Sequence, residues 1–427
     1  MGGKSDLRKA ILISTSHDTK EIKSLAKTLD FEVVKEVIQK RELPDVRTFI
    51  GKGKIEEIKE FLKENREIDL AIVDSDLKPS QWFNLEKEFG IEVYDRLRLI
   101  LSIFERRAES KEAKLQVKLA QLRYERPFVR ELIHRSRAGE HPGYMAGGEY
   151  QVDDYYEMIK RQMRKIKRDL EKIREDRDIR RKHRREAGFY LIAIAGYTNA
   201  GKSSLLNLLT KENVKVEKLL FSTLSTTTAR LNKKMSFSRP PILLTDTVGF
   251  IRNLPAWVID AFHSTLEEIK VADLVLLLVD ISEDIQEVRE KLDTSLRELR
   301  EIGVESSILI VFNKIDELNE RVLKNKIKSL GNLINGMPYV AISVRKRKNI
   351  DKLLELIGKN LPSPVDLKII LPNNTEGHKL LSELFEKAWI KNVDYGKNIV
   401  LNVSINPRIA DKLMHRCKRI GGKVYHK

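Results

Sequence analysis

One nine-residue segment constrains the fold of this chain more than any other feature of its sequence. An apolar run at residues 191–195 passes directly into GYTNAGKSS, and a second apolar run follows at residues 205–209. A GxxxxGKS spacing between a strand and a helix is typical of a phosphate-binding loop, where backbone N–H groups converge on a phosphate. The residues predicted to contact phosphate are Gly196, Tyr197, Thr198, Asn199, Ala200, Gly201, Lys202, Ser203 and Ser204.

Two side chains of this loop have specific predicted roles. In phosphate loops of this spacing the lysine reaches the β- and γ-phosphate oxygens, and the following hydroxyl binds Mg²⁺. Lys202 is therefore a predicted catalytic residue that acts on developing negative charge, and Ser203 is a predicted Mg²⁺ ligand.

A second motif follows another apolar strand, at residues 241–245. This strand ends in Asp246, Thr247, Val248 and Gly249, a DxxG sequence. Asp246 is expected to hold Mg²⁺ through a water molecule, and the Gly249 N–H is expected to sense the γ-phosphate. Gly249 is thus the second predicted catalytic residue.

A third motif points to the base of the nucleotide. The strand at residues 308–312 ends in Asn313, Lys314, Ile315 and Asp316. The Asp316 carboxylate can accept hydrogen bonds from N1–H and N2–H of guanine, a pairing that adenine does not offer. Asn313 is expected at the base edge, and the Lys314 stem is expected to lie over the ring.

A fourth and degenerate motif follows the strand at residues 339–343. Ser343, Val344 and Arg345 stand where a backbone N–H would meet guanine O6. Taken singly, each motif has an ordinary alternative, because DTVG also suits a plain turn and NKID a polar helix cap. Four motifs in this order, each at the carboxyl end of a predicted strand, favour one site at the edge of a parallel sheet that binds GTP or GDP with Mg²⁺.

The segment between the first two motifs predicts a nucleotide-sensitive switch. A switch needs a threonine that completes Mg²⁺ coordination when the γ-phosphate is present. Four threonines compete for this role, and a Ser/Thr-rich loop with no ligand role is the alternative. The candidate threonines are Thr223, Thr226, Thr227 and Thr228.

The remaining sequence predicts three further folded parts. Strands near residues 9–15, 32–38, 69–73 and 91–94 alternate with helical segments near 22–29, 55–62 and 79–89, a rhythm that favours a parallel α/β sheet. Two long helices joined by a glycine-rich stretch follow, and a tail with two strand-like runs (366–371 and 398–405) and two helices ends the sequence. The predicted class is α/β, with an N-terminal α/β domain (1–106), a helical hairpin (107–187), a P-loop GTPase domain (188–362) and a small C-terminal α/β domain (363–427).

Charge is concentrated beside the predicted nucleotide domain. Lys and Arg number 80 against 63 Asp and Glu, for a net charge of +17. Residues 160–186 carry fourteen basic and six acidic residues, and residues 408–427 carry seven basic residues and one acid. The helical stretch 160–186 is either the solvated face of a coiled coil or a basic rod that lies along phosphate backbones.

Other classes of protein are disfavoured by composition. Cys417 is the only cysteine, which excludes an intrachain disulfide framework. No apolar run approaches the roughly 18–20 residues that span a bilayer, and the N-terminus has no signal-peptide core, so a cytoplasmic location is the expectation.

The motifs and their flanks resemble a known family. GYTNAGKSSLLNLL, FSTLSTTTARL, LLTDTVGFIRNLP and AFHSTLEEI look like the HflX family of translation-factor-type GTPases, related to the Obg group. The resemblance is strong over residues 188–361 and weaker over the regions before it, and it implies binding to the large ribosomal subunit and its rRNA. By the family's FxTL motif, it also implies that Thr223 is the switch ligand of Mg²⁺. The implied switch contacts to the nucleotide are Phe221, Ser222, Thr223, Leu224 and Ser225.

This sequence departs from the family in two places. The family's glycine-rich segment reads close to GxRGPGET, whereas residues 140–149 here read EHPGYMAGGE. The tail after Pro364 matches no pattern of known function. Any role carried over to these two segments is open.

The residue after DxxG predicts slow hydrolysis. Ras-like enzymes place a glutamine there to orient the attacking water. Phe250 stands at that position, and a phenyl ring does not orient water by hydrogen bonding. Acceleration is therefore expected to need a group from a partner or another segment.

Three functional hypotheses follow. The first is a monomeric GTPase that docks on ribosomal RNA under the control of GTP. The second is a GTP-gated scaffold at an anionic membrane or on a protein complex, although residues 160–186 have no Trp or Phe to bury at a membrane interface. The third gives the N-terminal region its own nucleotide- or RNA-directed chemistry, but no acid/base pair or metal-spaced His/Cys cluster supports it.

Overall fold

The computed structural model describes residues 7–40, 43–137, 149–210, 227–232, 240–247, 249–250, 255, 257–258 and 263–426. The chain divides into two compact units, one formed mainly by Met1–Lys172 and the other mainly by Ile173–Lys218, Ser222–Asn253 and His263–Lys427. Within the described ranges, no helix combines the length and apolar character needed to cross a bilayer.

The first unit begins with a four-stranded parallel sheet in the order β2-β1-β3-β4. Its β-branched and leucine-rich strands bury their side chains against amphipathic helices, which is the usual basis of a parallel α/β layer. The predicted rhythm of strands and helices is confirmed. The elements are β1 (Arg8–Ser14), α1 (Lys20–Thr28), β2 (Phe31–Ile38), α2 (Lys52–Glu64), β3 (Ile68–Val73), α3 (Pro79–Phe89) and β4 (Glu92–Asp95).

Three helices follow this sheet: α4 (Arg96–Arg107), α5 (Lys111–Arg137) and α6 (Glu149–Glu186). Asp95 caps α4, because its side chain accepts a hydrogen bond from the N–H of Arg98. An apolar face of α6 packs against α5. Its members in this core are Leu119, Leu122 and Val129 of α5 with Ile159, Met163 and Ile166 of α6.

The second unit contains a six-stranded sheet in the order β10-β9-β8-β5-β7-β6, in which only β6 runs antiparallel to its neighbour. Every residue of β5 and β8 is buried, as their continuous apolar runs predict for central strands. The strands are β5 (Tyr190–Gly196), β6 (Thr227–Arg230), β7 (Ile242–Asp246), β8 (Leu274–Asp280), β9 (Ser307–Asn313) and β10 (Tyr339–Ala341).

Because β5, β7, β8 and β9 are parallel, their carboxyl ends lie at one edge of the sheet. Helices connect these strands. Helix α9 (Ile285–Ile302) begins after Asp284, whose side chain caps it by accepting a hydrogen bond from the Gln286 N–H. It ends at Gly303, which has a left-handed backbone conformation. The helices are α7 (Lys202–Leu209), α8 (His263–Lys270), α9 (Ile285–Ile302), α10 (Glu320–Ser329), α11 (Gly331–Ile334) and α12 (Ile350–Asn360), with a 3₁₀ turn at Ile315–Glu317.

The C-terminal domain is a four-stranded antiparallel sheet in the order β12-β13-β11-β14, with two helices on one face. Two strands and two helices were expected, and two further strands are present. Trp389–Tyr395 and Lys423–His426 are edge strands with mostly exposed side chains, so no apolar alternation marks them. The elements are β11 (Val365–Pro372), α13 (Thr375–Lys387), β12 (Trp389–Tyr395), β13 (Asn398–Ile405), α14 (Pro407–Arg419) and β14 (Lys423–His426).

The C-terminal domain contacts the start of β5, the strand that leads to the phosphate loop. Asp273 is buried; its carboxylate accepts from the Leu191 N–H at 2.8 Å and pairs with the Arg408 guanidinium at 2.5 Å. Gly188 lies so close to Ile409 that a Cβ there would be 2.3 Å from the isoleucine Cδ1. These contacts fix the amino end of the strand whose carboxyl end begins the site.

Candidate nucleotide-binding site

The phosphate-binding sequence forms a tight loop between β5 and α7. Gly196 has φ +139°, and a Cβ there would lie 2.3 Å from the Leu278 carbonyl oxygen of β8. Gly201 has φ +99°, and a Cβ there would lie 2.5 Å from Nδ2 of Asn313. Both positions therefore require glycine for conformation and for space. The resulting turn places the amino end of α7 at the loop. The backbone N–H groups at the amino end of a helix favour binding of an anion.

Lys202 lies inside this loop rather than in solvent. The side chain is 7% exposed, and Nζ donates to the carbonyl oxygens of Gly196 at 3.2 Å and Tyr197 at 3.0 Å. Burial lowers the pKa of Lys202 to about 8, and the nearby charge of Asp246 opposes that shift. A Cβ on Gly249 would lie 2.8 Å from Nζ, so the DxxG glycine and the lysine adjoin each other.

Two buried side chains with oxygen atoms, Ser203 and Asp246, lie side by side next to Lys202. The Ser203 hydroxyl donates to the Asp246 carboxylate at 2.6 Å, and both residues are nearly inaccessible to solvent. Thr247 is held apart from them, because its hydroxyl donates to the Ile194 carbonyl at 2.8 Å. A hydroxyl and a carboxylate are the hard oxygen donors that Mg²⁺ prefers, so the donor set fits this ion.

Phe250 is attached to the phosphate loop by its backbone. Its N–H donates to the Gly196 carbonyl at 3.0 Å, and its own carbonyl accepts from the Thr198 N–H at 3.1 Å. The phenyl ring is 6% exposed. A hydrocarbon ring therefore fills the place after DxxG.

The third motif joins two loops. Asn313 Nδ2 donates to the Ala200 carbonyl of the phosphate loop at 2.9 Å, and Oδ1 accepts from the Val344 N–H at 3.1 Å. This amide therefore bridges the two loops, and its contact with the base edge stays a prediction. Lys314 has a left-handed backbone, with φ +66°, and its ammonium pairs with Asp280 at 2.5 Å.

Asp316 and Ser343, from the third and fourth motifs, lie together. A hydrogen bond from Ser343 holds the pKa of the half-exposed Asp316 carboxyl below its usual value. The buried Ser343 hydroxyl in turn accepts from the Lys346 N–H at 2.9 Å. Asp316 therefore stays ionised and oriented, while Arg345 at the tip of this turn is exposed.

Asp280 is the residue of this edge that sequence reasoning missed. It ends the apolar run of β8, and its Oδ1 accepts from the Ser282 N–H at 3.1 Å while its other oxygen holds Lys314. Its position after a central apolar strand is the signal that could have identified it.

The predicted switch ligands fall mostly outside the described residues. These are Phe221, Ser222, Thr223, Leu224, Ser225 and Thr226, and Val248 of the DxxG motif is likewise outside. Thr227 and Thr228 lie in β6, where Thr228 shares a hydroxyl hydrogen bond with Thr245 of β7 at 3.0 Å.

Part of the basic helix α6 contacts the G domain. Glu267 of α8 pairs with Arg174 at 3.0 Å and lies 3.5 Å from Arg177, which is 8% exposed. Two of the fourteen basic residues counted in the sequence therefore have an acidic neighbour inside the second unit. Among the side chains that the structure describes on α6, Arg161, Arg164 and Arg168 nearer its middle are exposed.

Three family models match successive parts of the chain. They are described as GTP-binding GTPase N-terminal (residues 16–105), GTP-binding GTPase Middle Region (residues 107–184) and 50S ribosome-binding GTPase (residues 191–314). The third covers the phosphate loop, DxxG and Asn313.

Curated relatives and one solved structure agree with these models. The GTPase HflX of Thermococcus kodakarensis is 40% identical over 413 residues, covering 95% of this chain and 91% of the relative. The GTPase HflX of Methanocaldococcus jannaschii is 40% identical over 370 residues, covering 87% and 88%. A crystal structure of SsGBP in complex with GDP is 30% identical with a TM-score of 0.50, covering 82% of this chain and 98% of that one. On this similarity over nearly its whole length, the chain belongs to the HflX family of GTPases.

Proposed function

We propose that this GTPase binds GTP and Mg²⁺ at the carboxyl edge of the six-stranded sheet and associates with the large ribosomal subunit under the control of its nucleotide state. The observation that carries the nucleotide site is the meeting of four motifs at one edge, joined by the side chain of Asn313. In an open parallel sheet this edge is where ligands bind.

The phosphate end of the site acts through charge and backbone dipoles. Lys202 is already buried in the loop, where an ammonium interacts with phosphate far more strongly than in water. Gly249 lies against it, so its N–H can respond to the γ-phosphate. Residues 196–204 bind the phosphates, and the protein's contribution to hydrolysis is electrostatic stabilisation of the charge that develops on them.

Mg²⁺ would be held by Ser203, with Asp246 acting through water, and by a switch threonine, for which Thr223 is proposed. The ion would neutralise phosphate charge when bound. Asp246 already orients the Ser203 hydroxyl, which keeps both oxygens in the site before any ion arrives.

The base end selects guanine through Asp316. The hydrogen bond from Ser343 keeps this carboxylate ionised, so it can accept from both guanine N–H groups. Asn313 positions the loops around the base, Lys314 and Ile315 flank it, and the turn formed by Ser343, Val344 and Arg345 supplies backbone donors. Because the Val344 N–H already donates to Asn313, the backbone N–H of the exposed Arg345 is the proposed donor to guanine O6.

Replacing Asp316 with Asn tests this specificity. Asn presents one acceptor and one donor in place of two acceptors, which loses a charged hydrogen bond to guanine and suits xanthine instead. GTP affinity should fall by about 10- to 100-fold, since such bonds contribute about 1.5–3 kcal/mol, while XTP affinity rises. Equal loss of both nucleotides in calorimetric titrations would contradict the proposed role of Asp316.

Slow intrinsic hydrolysis is proposed from Phe250. A buried ring whose backbone is hydrogen-bonded to the phosphate loop offers no group to orient water. Turnover should rise when purified large ribosomal subunits are added. Fast turnover without any partner would contradict the proposal.

Ribosome association is supported by the description of the matching family model and by the charge of α6. Arg161, Arg164 and Arg168 are exposed on this helix and are available to phosphates. Co-sedimentation with large subunits across a salt series should show a steep loss of binding, with a log–log slope of several units. Replacing all three arginines with Gln should flatten that slope by about two to three.

A matched variant keeps the test specific. Arg321, Lys324 and Lys328 on α10 are equally exposed, and their replacement by Gln removes the same net charge from the same chain. Unchanged co-sedimentation of this control, with loss for the α6 variant, supports the proposal. Binding to anionic vesicles instead of subunits would favour a membrane scaffold.

A further inference from the structure

The C-terminal sheet has one free face, and its composition differs from that of its covered face. The covered side packs on α13 and α14 through Leu367, Ile369, Leu401 and Val403. Contacts to the G domain also come from the helical side, through the start of α14. The other face carries exposed aromatic and cationic side chains at alternating positions of the strands, together with the acidic side chains of Asp366 and Asp394.

Two aromatic side chains lie on this free face at opposite edges of the sheet. Trp389 of β12 is 46% exposed and stands beside Ser404 of β13; Tyr425 of β14 is 51% exposed and stands beside Lys368 of β11. Ser404 in turn is paired with Asp366, two residues before Lys368. Each ring presents a flat apolar surface on which another ring can stack.

Strand geometry sets the distance between the rings. Three strand spacings of about 4.8 Å and a two-residue offset separate the two positions by roughly 16 Å. At about 3.4 Å per stacked nucleotide this distance corresponds to about five nucleotides, and fewer when the strand is extended.

Positive charge is located on the side of the face near Tyr425. Lys368 and Lys423 are exposed there, and on the described residues neither has an acidic partner. Lys418 and Arg419 at the end of α14 continue the positive surface around the edge. On the other side, Asp366 is compensated by Lys391 at 3.0 Å and by a hydrogen bond from Ser404.

We infer that this free face, bearing Trp389, Lys368, Lys423 and Tyr425, is a binding platform for single-stranded RNA. Aromatic rings that stack bases and cations that follow the backbone are the two features such platforms combine. A duplex keeps its bases stacked inside and would leave both rings uncovered. An acidic protein would use the lysines but not the flat exposed rings, so single-stranded RNA is the occupant that matches both features.

The platform differs from the four-stranded sheets of RNA-recognition modules. There the stacking aromatics occupy the central strands, whereas the central positions here are Lys368, Ile370, Val400 and Asn402. Stacking at the two edges, with positive charge near Tyr425, predicts weak preference for sequence and a strong dependence on salt.

The test uses the full chain and a fluorescein-labelled ten-nucleotide RNA without secondary structure. Each of Trp389→Ala and Tyr425→Ala should weaken binding about 5- to 150-fold in fluorescence anisotropy, which is the equivalent of about 1–3 kcal/mol per stacked base. Trp389→Phe and Tyr425→Phe keep a ring and should bind like the unmodified chain.

Matched controls come from the same domain. Phe385 and Tyr395 are 56% and 65% exposed but do not lie on the free face of the sheet, so Phe385→Ala and Tyr395→Ala should leave RNA affinity unchanged. Unlabelled duplex RNA of equal length should compete at least 10-fold less well. GTP hydrolysis and the circular dichroism of every variant should stay unchanged, which separates a lost contact from a lost fold.

Three results would overturn the inference. The first is that the Trp389→Ala and Tyr425→Ala chains bind RNA as tightly as the unmodified chain. The second is that the Phe385→Ala and Tyr395→Ala controls lose as much RNA affinity as those two variants. The third is that poly-glutamate displaces the labelled RNA as effectively as unlabelled RNA does, which would indicate a protein-docking surface. Co-sedimentation with large subunits, measured on the same variants, reports on the proposed function separately, because it depends on α6.

Discussion

The described part of this chain contains one parallel and one largely parallel open sheet, and the carboxyl edges of the two are filled in different ways. In the G domain, glycines and backbone groups line the edge, and Lys202 is buried in the phosphate loop. In the N-terminal domain, the edge is filled by the chain's own charges: Arg96 pairs with Asp74 at 2.9 Å and with Glu21 at 2.7 Å. The same architecture can leave an edge for a ligand or satisfy it internally.

Each edge also contains a buried group whose ionised form is disfavoured by burial. Burial lowers the pKa of Lys202 to about 8, and burial raises the pKa of Asp95 to about 6 despite hydrogen bonds from the N–H groups of Arg98 and Leu77 and from the Tyr124 hydroxyl. An anion can restore the charge of the lysine. No such ligand is needed by Asp95, which is already held by three hydrogen bonds.

Replacing Lys202 with Ala should have the largest effect and is the strongest test of this difference. GTP hydrolysis should fall by about 10²- to 10³-fold or more, because one preorganised electrostatic contact to the transition state is lost. Single-turnover measurements with saturating GTP would show it. Retention of near-normal hydrolysis would remove the functional distinction between the two edges.

Replacing Arg96 with Met should affect stability and leave nucleotide affinity alone. It leaves Asp74 and Glu21 without their shared cation, at a cost of about 3 kcal/mol, the lower part of the range for a buried pair because Glu21 stays partly exposed. Hydrogen exchange of the β1 and β3 amides should accelerate about 100-fold, while GDP affinity stays constant. A large fall in GDP affinity would mean that the N-terminal edge does take part in nucleotide binding.

The raised pKa of Asp95 gives the N-terminal domain a pH dependence of definite sign. The pKa of Asp95 is about 6 in the folded state and the ordinary value of an aspartate is 3.8, so between these pH values the folded state holds more protons than the unfolded state. Stability is therefore highest below about pH 4 with respect to this group and is lost as pH rises through about 6. At about 1.4 kcal/mol per unit, the loss is about 3 kcal/mol.

Asp95→Asn should abolish that slope. Amide exchange in β3 and β4, followed from pH 4.5 to 7 and corrected for intrinsic rates, measures it. A slope that persists in the variant would assign the proton to another carboxyl, of which Asp76 is the nearest with a raised pKa.

The smallest expected effect is proton uptake by Lys202 on nucleotide binding. With a pKa of about 8 before binding, part of the lysine population is neutral at pH 8.5, and phosphate charge restores the proton. GDP affinity should therefore fall as pH rises above 8. Calorimetry at pH 8.5 in two buffers of different ionisation enthalpy should give an uptake below one proton, absent from Lys202→Ala wherever that variant still binds GDP.

The fold and the linear motifs could be predicted from sequence because each depends on local spacing. Apolar runs identified the buried strands β5 and β8, and the glycines of the phosphate loop are required by their own backbone angles. Edge strands β12 and β14 escaped prediction, since their mostly exposed side chains show no apolar alternation. The Asp273–Arg408 pair escaped because partners 135 residues apart leave no periodic signal.

Asn313 illustrates what the motifs alone do not convey. Its amide touches Gly201 so closely that any side chain at position 201 would displace it, and the same amide holds the turn after β10. Two sequence motifs more than a hundred residues apart are thus sterically interdependent. Homologous chains should accordingly change these two positions together or not at all. Guanosine and pyrophosphate, measured as separate fragments, should also have binding free energies whose sum differs from the binding free energy of GDP.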